Sequence, residues 1–492
     1  MVDEETLVTP ALSRTLIPSE LPEEELRWSS VTLNEVLEKS SRLEATFFGL
    51  EGKHAREVIT QCKYPITVVS GRNGLSEAFY PTRFKRILVQ ESDYPLILPS
   101  QITELNPSPK GYLSPLCKTD FAQLKAKNGQ ILLTRSGTIG NLTFVGKTLH
   151  GKTLSDDIIR ITCKNNEDIG YLYAFLRTKI GSALVRTHEY GAVVSHIEPE
   201  HLESVPIPNP PSSLKKRIHE LVVRSYTLRD ESNAMLDKAE QIIYDALNLP
   251  PITQLHPRNF AKANDLRNYT TKLSDLSGRL DASYHVPIVD TIIQRLKKES
   301  AEVTTIGDSR ISKRIILPGR FARVFVQEGQ GVVYFTGKHI LELDPSDKKY
   351  LAFARHAKRI REQLTIKENM LLLVSSGTLG KAVLVPKHWD GWTMTHDIIR
   401  IICSSNDIAG YLWVFIISSY GQELVRRYTY GSVVNHIEAE HIDQIPIPLL
   451  KDSAKQEKIN RLALEANAKR TEAFHLEQEA IHITYAEVIH AQ

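Results

Sequence analysis

Two short segments rich in histidine and glutamate are the first candidates for chemistry. HIEPEH at 196–201 and HIEAEH at 436–441 contain side-chain types that bind metal ions. In an extended conformation the first segment places His201 on the face opposite its other candidate ligands. No HExxH motif and no clustered Cys/His site accompanies either segment. A structural histidine on a polar strand edge is favoured, so we predict no metal site.

Two other motifs suggest catalysis or nucleotide binding. NPPS at 209–212 resembles the N-P-P-[YF] motif of amino-methyltransferases, but Ser212 stands where an aromatic ring would stack on a flipped base. No glycine-rich loop for S-adenosylmethionine precedes it. Five residues separate Gly140 from Gly146-Lys147-Thr148 where a phosphate-binding loop needs four, and Pro386 occupies the place of Gly146 in the second copy. We predict a chain with neither catalytic residues nor a cofactor.

Tight turns of sequence S-G-T-x-G occur at 136–140 and 376–380. Their backbone amides and hydroxyls suit a phosphate oxygen, and a plain hairpin turn is the alternative. The candidate DNA contacts in and beside these turns are Arg135, Ser136, Gly137 and Thr138 in the first copy, and Ser375, Ser376, Gly377, Thr378 and Lys381 in the second.

Tyrosine-glycine loops follow later in each copy. Tyr190 leads to Ser195, and Tyr430 leads to Asn435, so the two copies differ at the last position. An asparagine can pair with an adenine through two hydrogen bonds. We therefore include these four residues among the candidate DNA contacts.

Basic residues are frequent in the stretches where the copies diverge, 49–130 and 286–370. If the two copies bind different nucleic-acid sequences, their contacts to bases must differ, so these divergent stretches are expected to determine specificity. A solvated charged face is the alternative for any one residue. The basic candidates are Arg83, Lys85 and Arg86, and in the second copy Lys313, Arg314, Arg320, Arg355, Lys358 and Arg359.

The chain is a tandem duplication. Residues 131–208 align without a gap to 371–448 at a shift of 240, including DIIRI, G-Y-L and a closing Pro-Ile-Pro in both copies. EYGAVVSHIEPEH matches TYGSVVNHIEAEH. An earlier match, 41–48 with 278–285 at a shift of 237, extends the unit to about 170 residues, which is a domain rather than a solenoid repeat.

The elements that must position these residues are short strands and long helices. GQILLTRS, LTFVG and DIIRITC are typical of strands, whereas GYLYAFLRTKIGSALVRTH is typical of one helix. Heptad-like segments at 214–246 and 459–483 match at a shift of 241, and their polar seams favour packing of the two helices on each other. The alternative is that each helix docks on its own domain. An antiparallel pair would place the domains at opposite ends of a rod related by a pseudo-twofold axis.

The predicted fold class is therefore α+β, with two similar domains separated by two long antiparallel helices. The predicted boundaries are an N-terminal extension at 1–40, a first domain at 41–210, a central helix at 211–250, a linker at 251–277, a second domain at 278–450 and a C-terminal helix at 451–492.

Composition limits the function classes. The 492 residues carry a net charge of +3, so a nucleic-acid partner needs basic residues gathered on one face. Four separated cysteines without a CxxC pair fit a reducing compartment. No apolar run of membrane-spanning length occurs and the acidic N-terminus lacks a secretory signal, so we expect a cytoplasmic protein.

The ordered motif set resembles the specificity subunits of type I restriction-modification systems. It comprises the S-G-T-x-G turn, D-x-I-R-[IL], G-Y-L-x-x-F, Y-G-[AS]-V-V-x-H-I and P-I-P before a long helix, and it occurs twice. The resemblance implies two target-recognition domains that each read half of a bipartite, asymmetric DNA site. It implies a non-catalytic subunit whose partners are double-stranded DNA, two methyltransferase subunits and, through them, restriction or translocase subunits. The second copy departs from the family by lacking the prolines that follow P-I-P.

Helix length gives a first estimate of the separation between the two half-sites. A helix of about 33 residues spans about 50 Å, which corresponds to roughly 15 base pairs between domain centres. The alternatives are a specificity subunit of another phage-defence or two-subunit methylation system, a stand-alone DNA-modifying enzyme and a protein-binding scaffold. Binding of S-adenosylmethionine by the isolated chain would favour the enzyme, and absence of sequence-specific DNA affinity would favour the scaffold.

Overall fold

The structure is a computed structural model that describes residues 31–38, 48–191, 194–255, 261–263, 266–276, 278–346, 348–431 and 433–491. Most of the predicted N-terminal extension and part of the predicted linker lie outside the described residues. Helix and strand are mixed throughout, which confirms the predicted α+β class.

The first domain is built on a six-stranded sheet of order β10-β1-β2-β9-β6-β7, with one parallel pair, β1 and β2. Its strands are β1 Ile66–Ser70, β2 Gly74–Phe79, β3 Leu88–Val89, β4 Leu96–Ile97, β5 Tyr112–Leu113, β6 Ile131–Thr134, β7 Leu142–Phe144, β8 Thr153–Leu154, β9 Ile158–Cys163 and β10 Pro206–Pro208. A short helix, α1 Leu33–Glu38, precedes the domain. The helices of the domain are α2 Leu50–Thr60, α3 Phe121–Leu124, α4 Asn166–Arg177 and α5 Lys179–Arg186. The predicted strands correspond to β6, β7 and β9.

The second domain repeats this plan. Its sheet of order β14-β21-β18-β19 corresponds to β2-β9-β6-β7, and its separate pair β13-β22 corresponds to β1-β10. The strands from the linker onward are β11 Ala261–Ala263, β12 Leu266–Asn268, β13 Glu302–Thr305, β14 Ser312–Ile316, β15 Phe325–Val326, β16 Val332–Phe335, β17 Lys349–Leu351, β18 Leu371–Val374, β19 Ala382–Leu384, β20 Thr393–Met394, β21 Ile398–Cys403 and β22 Pro446–Leu449. The helices are α6 Ser212–Ala246 between the domains, α7 Pro287–Glu299, α8 Phe353–Arg359, α9 Asn406–Ile417, α10 Ser419–Arg427, α11 Ala439–Asp443 and α12 Ser453–Ile483.

The segment predicted as one helix after Gly170 is two helices, α4 and α5. Thr178 lies between them in an extended conformation, and its hydroxyl accepts a hydrogen bond from the Gly181 amide at 3.0 Å. This is an N-cap, which satisfies an amide that has no partner inside the new helix. A hydroxyl residue in an apolar helical pattern therefore marked a helix start rather than a helix interior.

The two long helices pack antiparallel on each other, as the seam pattern predicts. Ser225 Oγ donates to the Ala473 carbonyl at 2.7 Å, and Lys469 Nζ lies 2.6 Å from Glu231. The residue numbers of the contacts decrease along α12 as they increase along α6, so the two helices run antiparallel. Ala466, Ala473 and other small seam residues are fully buried, so the two backbones approach closely.

Two of the repeated motifs, G-Y-L and Pro-Ile-Pro, serve this scaffold. The Gly170 amide donates to His219 Nδ1 at 3.2 Å, and a Cβ on Gly170 would come within 2.5 Å of His219 Cα, so only glycine allows α4 to approach α6. Gly410 makes the same approach to α12. Tyr171 anchors Pro-Ile-Pro by donating to the Pro208 carbonyl at 2.5 Å.

The arginine of D-x-I-R-[IL] is also structural. Arg160 is fully buried and donates to the Ile158 carbonyl at 2.7 Å and to the carbonyl of Leu124 at 3.3 Å. Arg400 makes the matching bonds in the second domain, including one of 2.6 Å to the Ile398 carbonyl. Burial lowers the pKa of Arg160 to about 10.

The two domains dock on opposite halves of the helix pair, and they also contact each other near its middle. The first domain contacts α6 as far as Asn233, whose side-chain amide donates to the Leu105 carbonyl at 2.7 Å. Leu105 N in turn donates to the Leu341 carbonyl of the second domain at 2.8 Å. Because both domains dock along the helices instead of beyond their ends, their separation is shorter than the helix length of about 50 Å.

Candidate nucleic-acid interface

The S-G-T-x-G turn and the Tyr-Gly loop lie side by side in the first domain. Gly137 has φ 77° and its amide donates to the Ser195 carbonyl at 3.4 Å. Tyr190 and His196 exchange two backbone hydrogen bonds, of 3.0 and 2.8 Å, across the loop. A Cβ on Gly137 would meet nothing within 4 Å, so the outer face of the turn is open. The structure thus brings together Ser136, Gly137, Thr138, Tyr190 and Ser195.

The second domain has the same arrangement. The Gly377 amide donates to the Asn435 carbonyl at 3.2 Å, and Tyr430 and His436 exchange hydrogen bonds of 3.0 and 2.7 Å. Thr378 and Asn435 are exposed, whereas Ser375 is buried. The loop also presents Val433, which is 94% exposed. This valine was not among the predicted contacts, although its place beside a candidate base contact was the available signal.

A buried ion network supports the first turn. Arg135 is 5% exposed, pairs with Asp157 at 3.1 Å and with Glu198, and lies over the Tyr80 ring. Burial alone would lower the pKa of Arg135, but its hydrogen bonds to Glu198 and Asp157 raise it above the usual value. Its guanidinium is therefore occupied within the protein, and it holds the turn in place.

The second turn has different electrostatics. Ser375 replaces Arg135, so the arginine that joins Asp157 and Glu198 in the first domain has no counterpart at the same position of the second. Tyr430 donates to Glu438, and that hydrogen bond raises the pKa of Tyr430 to about 12. Asp397 lies 3.3 Å from His396 Nε2. Equivalent positions in the two domains thus present different charges to a ligand.

A repeated P-x-R-F-x-R segment, at 81–86 and 318–323, lies next to each turn and was missed in the sequence analysis. Arg83 is 4.0 Å from Asp157, and Arg86 pairs with Asp156 at 2.6 Å. In the second domain Arg323 lies 3.5 Å from the Tyr334 hydroxyl. The repeat was hidden because its matched residues stand in a stretch that otherwise diverges.

A cavity of about 460 Å³ beside the second turn gathers several cations. Ser376 and Thr378 line it together with Arg323, Lys338 and Lys381. Lys110 of the first domain also lines it, so the groove crosses the domain boundary. Lys381 pairs with Glu104 at 2.6 Å, which leaves this lysine partly neutralised.

The basic residues of α8 join this surface. Arg355 and Lys358 are exposed, and Arg359 donates to the Gly319 carbonyl at 2.8 Å while lying over the Phe321 ring. Helix α8 therefore packs on the 318–323 segment, and its cations adjoin the exposed Arg320.

Two sets of predicted DNA contacts lie at different distances from the turns. Lys313 and Arg314 are exposed on β14, where Arg314 pairs with Ile402 of β21. Ile402 lies four residues beyond Ile398, which is the end of β21 nearest the S-G-T-x-G turn. They therefore lie roughly 13 Å from the turn at 3.3 Å per residue. Lys85 is exposed next to the paired Arg86 and remains near the first turn.

The histidine-glutamate segments make no metal centre in the described residues. No group of three or more His, Cys, Asp or Glu side chains lies close enough there to hold a metal ion. His201 Nδ1 accepts from the Glu198 amide at 3.1 Å, and His441 Nδ1 accepts from the Glu438 amide at 3.2 Å, so both rings cap short helical turns. In the same part of the chain no helix is long and apolar enough to cross a membrane.

Comparison with known families bears on this surface. Residues 81–228 match the family model for the type I restriction modification DNA specificity domain. The chain resembles a type I restriction-modification specificity subunit. The resemblance predicted from the repeated motifs is thereby confirmed, and the matched stretch begins at P-x-R-F-x-R and contains the whole first turn and loop. A DNA specificity domain recognises sequence and does not catalyse a reaction.

Solved structures with similarity include the type I restriction-modification S subunit of M. genitalium, at 10% identity over 87% of this chain and 94% of that one, with a TM-score of 0.29. The HsdS subunit of Thermoanaerobacter tengcongensis is 12% identical over 85% of this chain and 99% of its own, with a TM-score of 0.26. A chain from a study of type I R-M complex assembly and conformational transition is 13% identical over 82% and 97%, also at 0.26. Among curated proteins no sequence matches this chain.

Proposed function

We propose that this specificity subunit reads a bipartite, asymmetric DNA site, one half-site with each domain. The observation that carries the proposal is the recurrence of one interface in two chemical versions. Each version consists of an open S-G-T-x-G turn, a Tyr-Gly loop and an R-F-x-R segment. The versions differ at Arg135 and Ser375 and at Ser195 and Asn435, so the two half-sites would differ in sequence.

Phosphate contacts would position the two domains on the duplex. The open amides and hydroxyls of the turns suit phosphate oxygens, and the exposed cations Arg83, Arg320, Arg355 and Lys358 lie on the same surfaces. The groove that Lys110, Lys338 and Arg323 line continues this surface across the domain boundary. The unread spacer between half-sites would follow that groove.

Base readout would come from the loops. Asn435 is exposed beside the second turn and suits an adenine edge, and Val433 next to it suits the methyl group of a thymine. Ser195 occupies the position of Asn435 in the first domain. A different base at the corresponding position of the first half-site follows from that difference.

The subunit would then position two methyltransferase subunits on this site, and restriction or translocase subunits through them. The pseudo-twofold arrangement of α6 and α12 supports a pair of equivalent partner positions, since each helix contributes the same face to one half of the molecule. The chain itself would supply recognition, and the partners would supply chemistry.

The test is a selection from random duplexes by the purified chain together with its co-encoded methyltransferase, followed by sequencing of the retained DNA. Two short motifs at one spacing support the proposal. Their centres should lie closer than the roughly 15 base pairs that the helix length alone suggests, because the domains touch. An intact complex that enriches no motif rules out the specificity function and favours a scaffold.

A further inference from the structure

The two halves of the helix pair differ in how they surround a buried arginine. In the first half, Arg229 of α6 pairs with Glu477 of α12 at 2.6 Å, and Tyr173 and Arg177 of α4 also contact that carboxylate. The counterparts of these four residues in the second half, at shifts of 240 and 241, are Arg470 for Arg229, Leu236 for Glu477, Trp413 for Tyr173 and Ile417 for Arg177. The second half therefore keeps the arginine and lacks its carboxylate.

A cavity of about 390 Å³ lies where that carboxylate is missing. All four counterparts line it, namely Leu236, Trp413, Ile417 and Arg470. Beside Arg229 in the first half, the remaining cavity measures only about 30 Å³. Pockets for small molecules measure roughly 300–1,000 Å³. The second half thus has room for a ligand where the first half has side chains.

Two buried donors at this cavity lack an acceptor. Arg470 is 6% exposed and donates through Nε to Ser232 and through Nη2 to Asn233, whereas its Nη1 donates to none of the described residues. Trp413 is 1% exposed, and its Nε1 has no hydrogen-bond partner in the same part of the chain. The guanidinium carbon of Arg470 lies 5.0 Å from the centroid of the Trp413 ring. A buried donor without an acceptor costs free energy, so an acceptor bound in the cavity would stabilise both groups.

The other charged residues of the lining leave Arg470 uncompensated. Lys381 pairs with a glutamate of the first domain, as described above. Asp237 is exposed to solvent. Glu240 accepts a hydrogen bond from the Tyr244 hydroxyl and lies about 10 Å further along α6 than the asparagine that Arg470 contacts. One guanidinium therefore remains without a negative partner.

We propose that this cavity binds a small organic monocarboxylate, whose carboxylate takes the position that Glu477 occupies in the first half. Its oxygens accept hydrogen bonds from Arg470 and Trp413, and an anionic acceptor makes the bond to a guanidinium short and strong. Much of the remaining lining is apolar, including Leu236, Leu341, Val383 and Ile417. An aromatic or branched aliphatic carboxylate satisfies both parts of the site. Its binding does not depend on the proposed reading of DNA.

Binding is measured by isothermal titration calorimetry on the full chain. The probes are benzoate and isovalerate, and the controls are the neutral amides of the same shape, benzamide and isovaleramide. At least one carboxylate is expected to saturate the chain and to bind about tenfold or more tightly than its amide, because only the carboxylate is charged. Equal affinities of acid and amide overturn the proposal, as does the absence of saturation by either carboxylate below about 10 mM.

Three variants locate the bound carboxylate. Arg470→Met removes the cation and should weaken binding about tenfold to a hundredfold. Leu236→Glu supplies at the counterpart of Glu477 a carboxylate from the chain itself and should abolish binding of the probe. Leu236→Met is the matched control, because it keeps the volume and polarity of the leucine, and its affinity should stay within about threefold of the wild type. Unchanged affinity in Arg470→Met or in Leu236→Glu overturns the proposal.

The source of the carboxylate is tested in the complex with the co-encoded methyltransferase. A free small molecule should bind the complex and the isolated chain with the same affinity. Loss of probe binding in the complex would mean that a carboxylate side chain of the partner occupies the cavity, and it overturns the proposal of a small-molecule site.

Discussion

The carboxylate of Glu477 stabilises the contact between the first domain and the two long helices. It is 2% exposed on α12, lies 2.6 Å from Arg229 of α6 and 3.5 Å from Arg177 of the first domain, and accepts from the Tyr173 hydroxyl. Although burial alone would raise it, the two arginines hold the pKa of Glu477 below its usual range. Glu477→Gln keeps the size of the side chain and leaves two buried guanidiniums with one carboxylate fewer.

The expected cost follows from the full burial of Glu477 and the partial burial of its two arginines. Removing one partner of a buried ion pair costs about 3–5 kcal/mol, because the remaining charge stays out of water. Asp344 still faces Arg177 at 3.5 Å, so the lower end of that range, about 3 kcal/mol, is expected. With a urea m-value of about 2–3 kcal/mol/M, the unfolding midpoint should fall by about 1–1.5 M.

The matched control is Arg470→Met. Arg470 occupies on α12 the position of Arg229 on α6, at a shift of 241. Among the described residues no carboxylate pairs with it: Leu236 stands where Glu477 would be, and Arg470 donates to Ser232 Oγ at 2.8 Å. Burial lowers the pKa of Arg470 to about 10. Replacing such an uncompensated charge with an apolar side chain is expected to be neutral or stabilising.

Urea titrations followed by circular dichroism test both variants in the full chain. Glu477→Gln should lower the urea midpoint of unfolding. Arg470→Met should raise that midpoint or leave it unchanged. A cost below about 1 kcal/mol for Glu477→Gln, or a loss of several kcal/mol for Arg470→Met, refutes this account of the charges at the two ends.

Three further outcomes are expected. Arg355→Glu/Lys358→Glu should weaken binding through the second half-site and reduce the salt slope of log K by about 2, while the first half-site's preference stays the same; an unchanged slope removes α8 from the interface. Gly377→Val, at φ 77° with open space around it, should cost about 1–2 kcal/mol by thermal melting and reduce DNA affinity, and unchanged affinity would contradict a contact at this turn. Burial lowers the pKa of His388 to about 4. The neutral ring therefore stabilises the fold above pH 6.5, and the free energy of unfolding should decrease by about 3 kcal/mol as the pH falls from 6.5 to 4. In an acid denaturation series, His388→Asn should remove this decrease.

Local patterns predicted much of the architecture. The repeat, the strands around ILLTRS and DIIRI, and the antiparallel helices depend on residue types at fixed intervals, which a sequence displays directly. The break at Thr178 escaped because apolar spacing continues through it, and only the contact between its hydroxyl and Gly181 distinguishes a cap from a helix interior. The contact between the two domains escaped because the pairing of Glu104 with Glu342 joins residues far apart in sequence.

Only part of the candidate interface was predicted, because contacts between residues far apart in sequence are not visible in a local pattern. The turns and Tyr-Gly loops were recognisable in each copy, but their proximity depends on the sheet that brings residue 137 to residue 195. Arg135 shows the limit of reasoning from residue type. An arginine beside a phosphate-binding turn suggests a DNA contact, yet Asp157 and Glu198 already occupy its guanidinium. Whether a charge is free depends on neighbours that only the fold supplies.

Comparison of the two copies separates residues that maintain the fold from residues that would select DNA. Positions that fix the fold are the same in both domains: Gly170 and Gly410 at the helix approach, and Arg160 and Arg400 on the carbonyls of their own loops. Some positions on the open surface differ between the domains, as at Ser195 and Asn435. A duplicated reader of one symmetric site would have kept both sets alike, since identical half-sites need identical contacts. Retention of the scaffold with divergence of the surface is therefore what an asymmetric bipartite site requires.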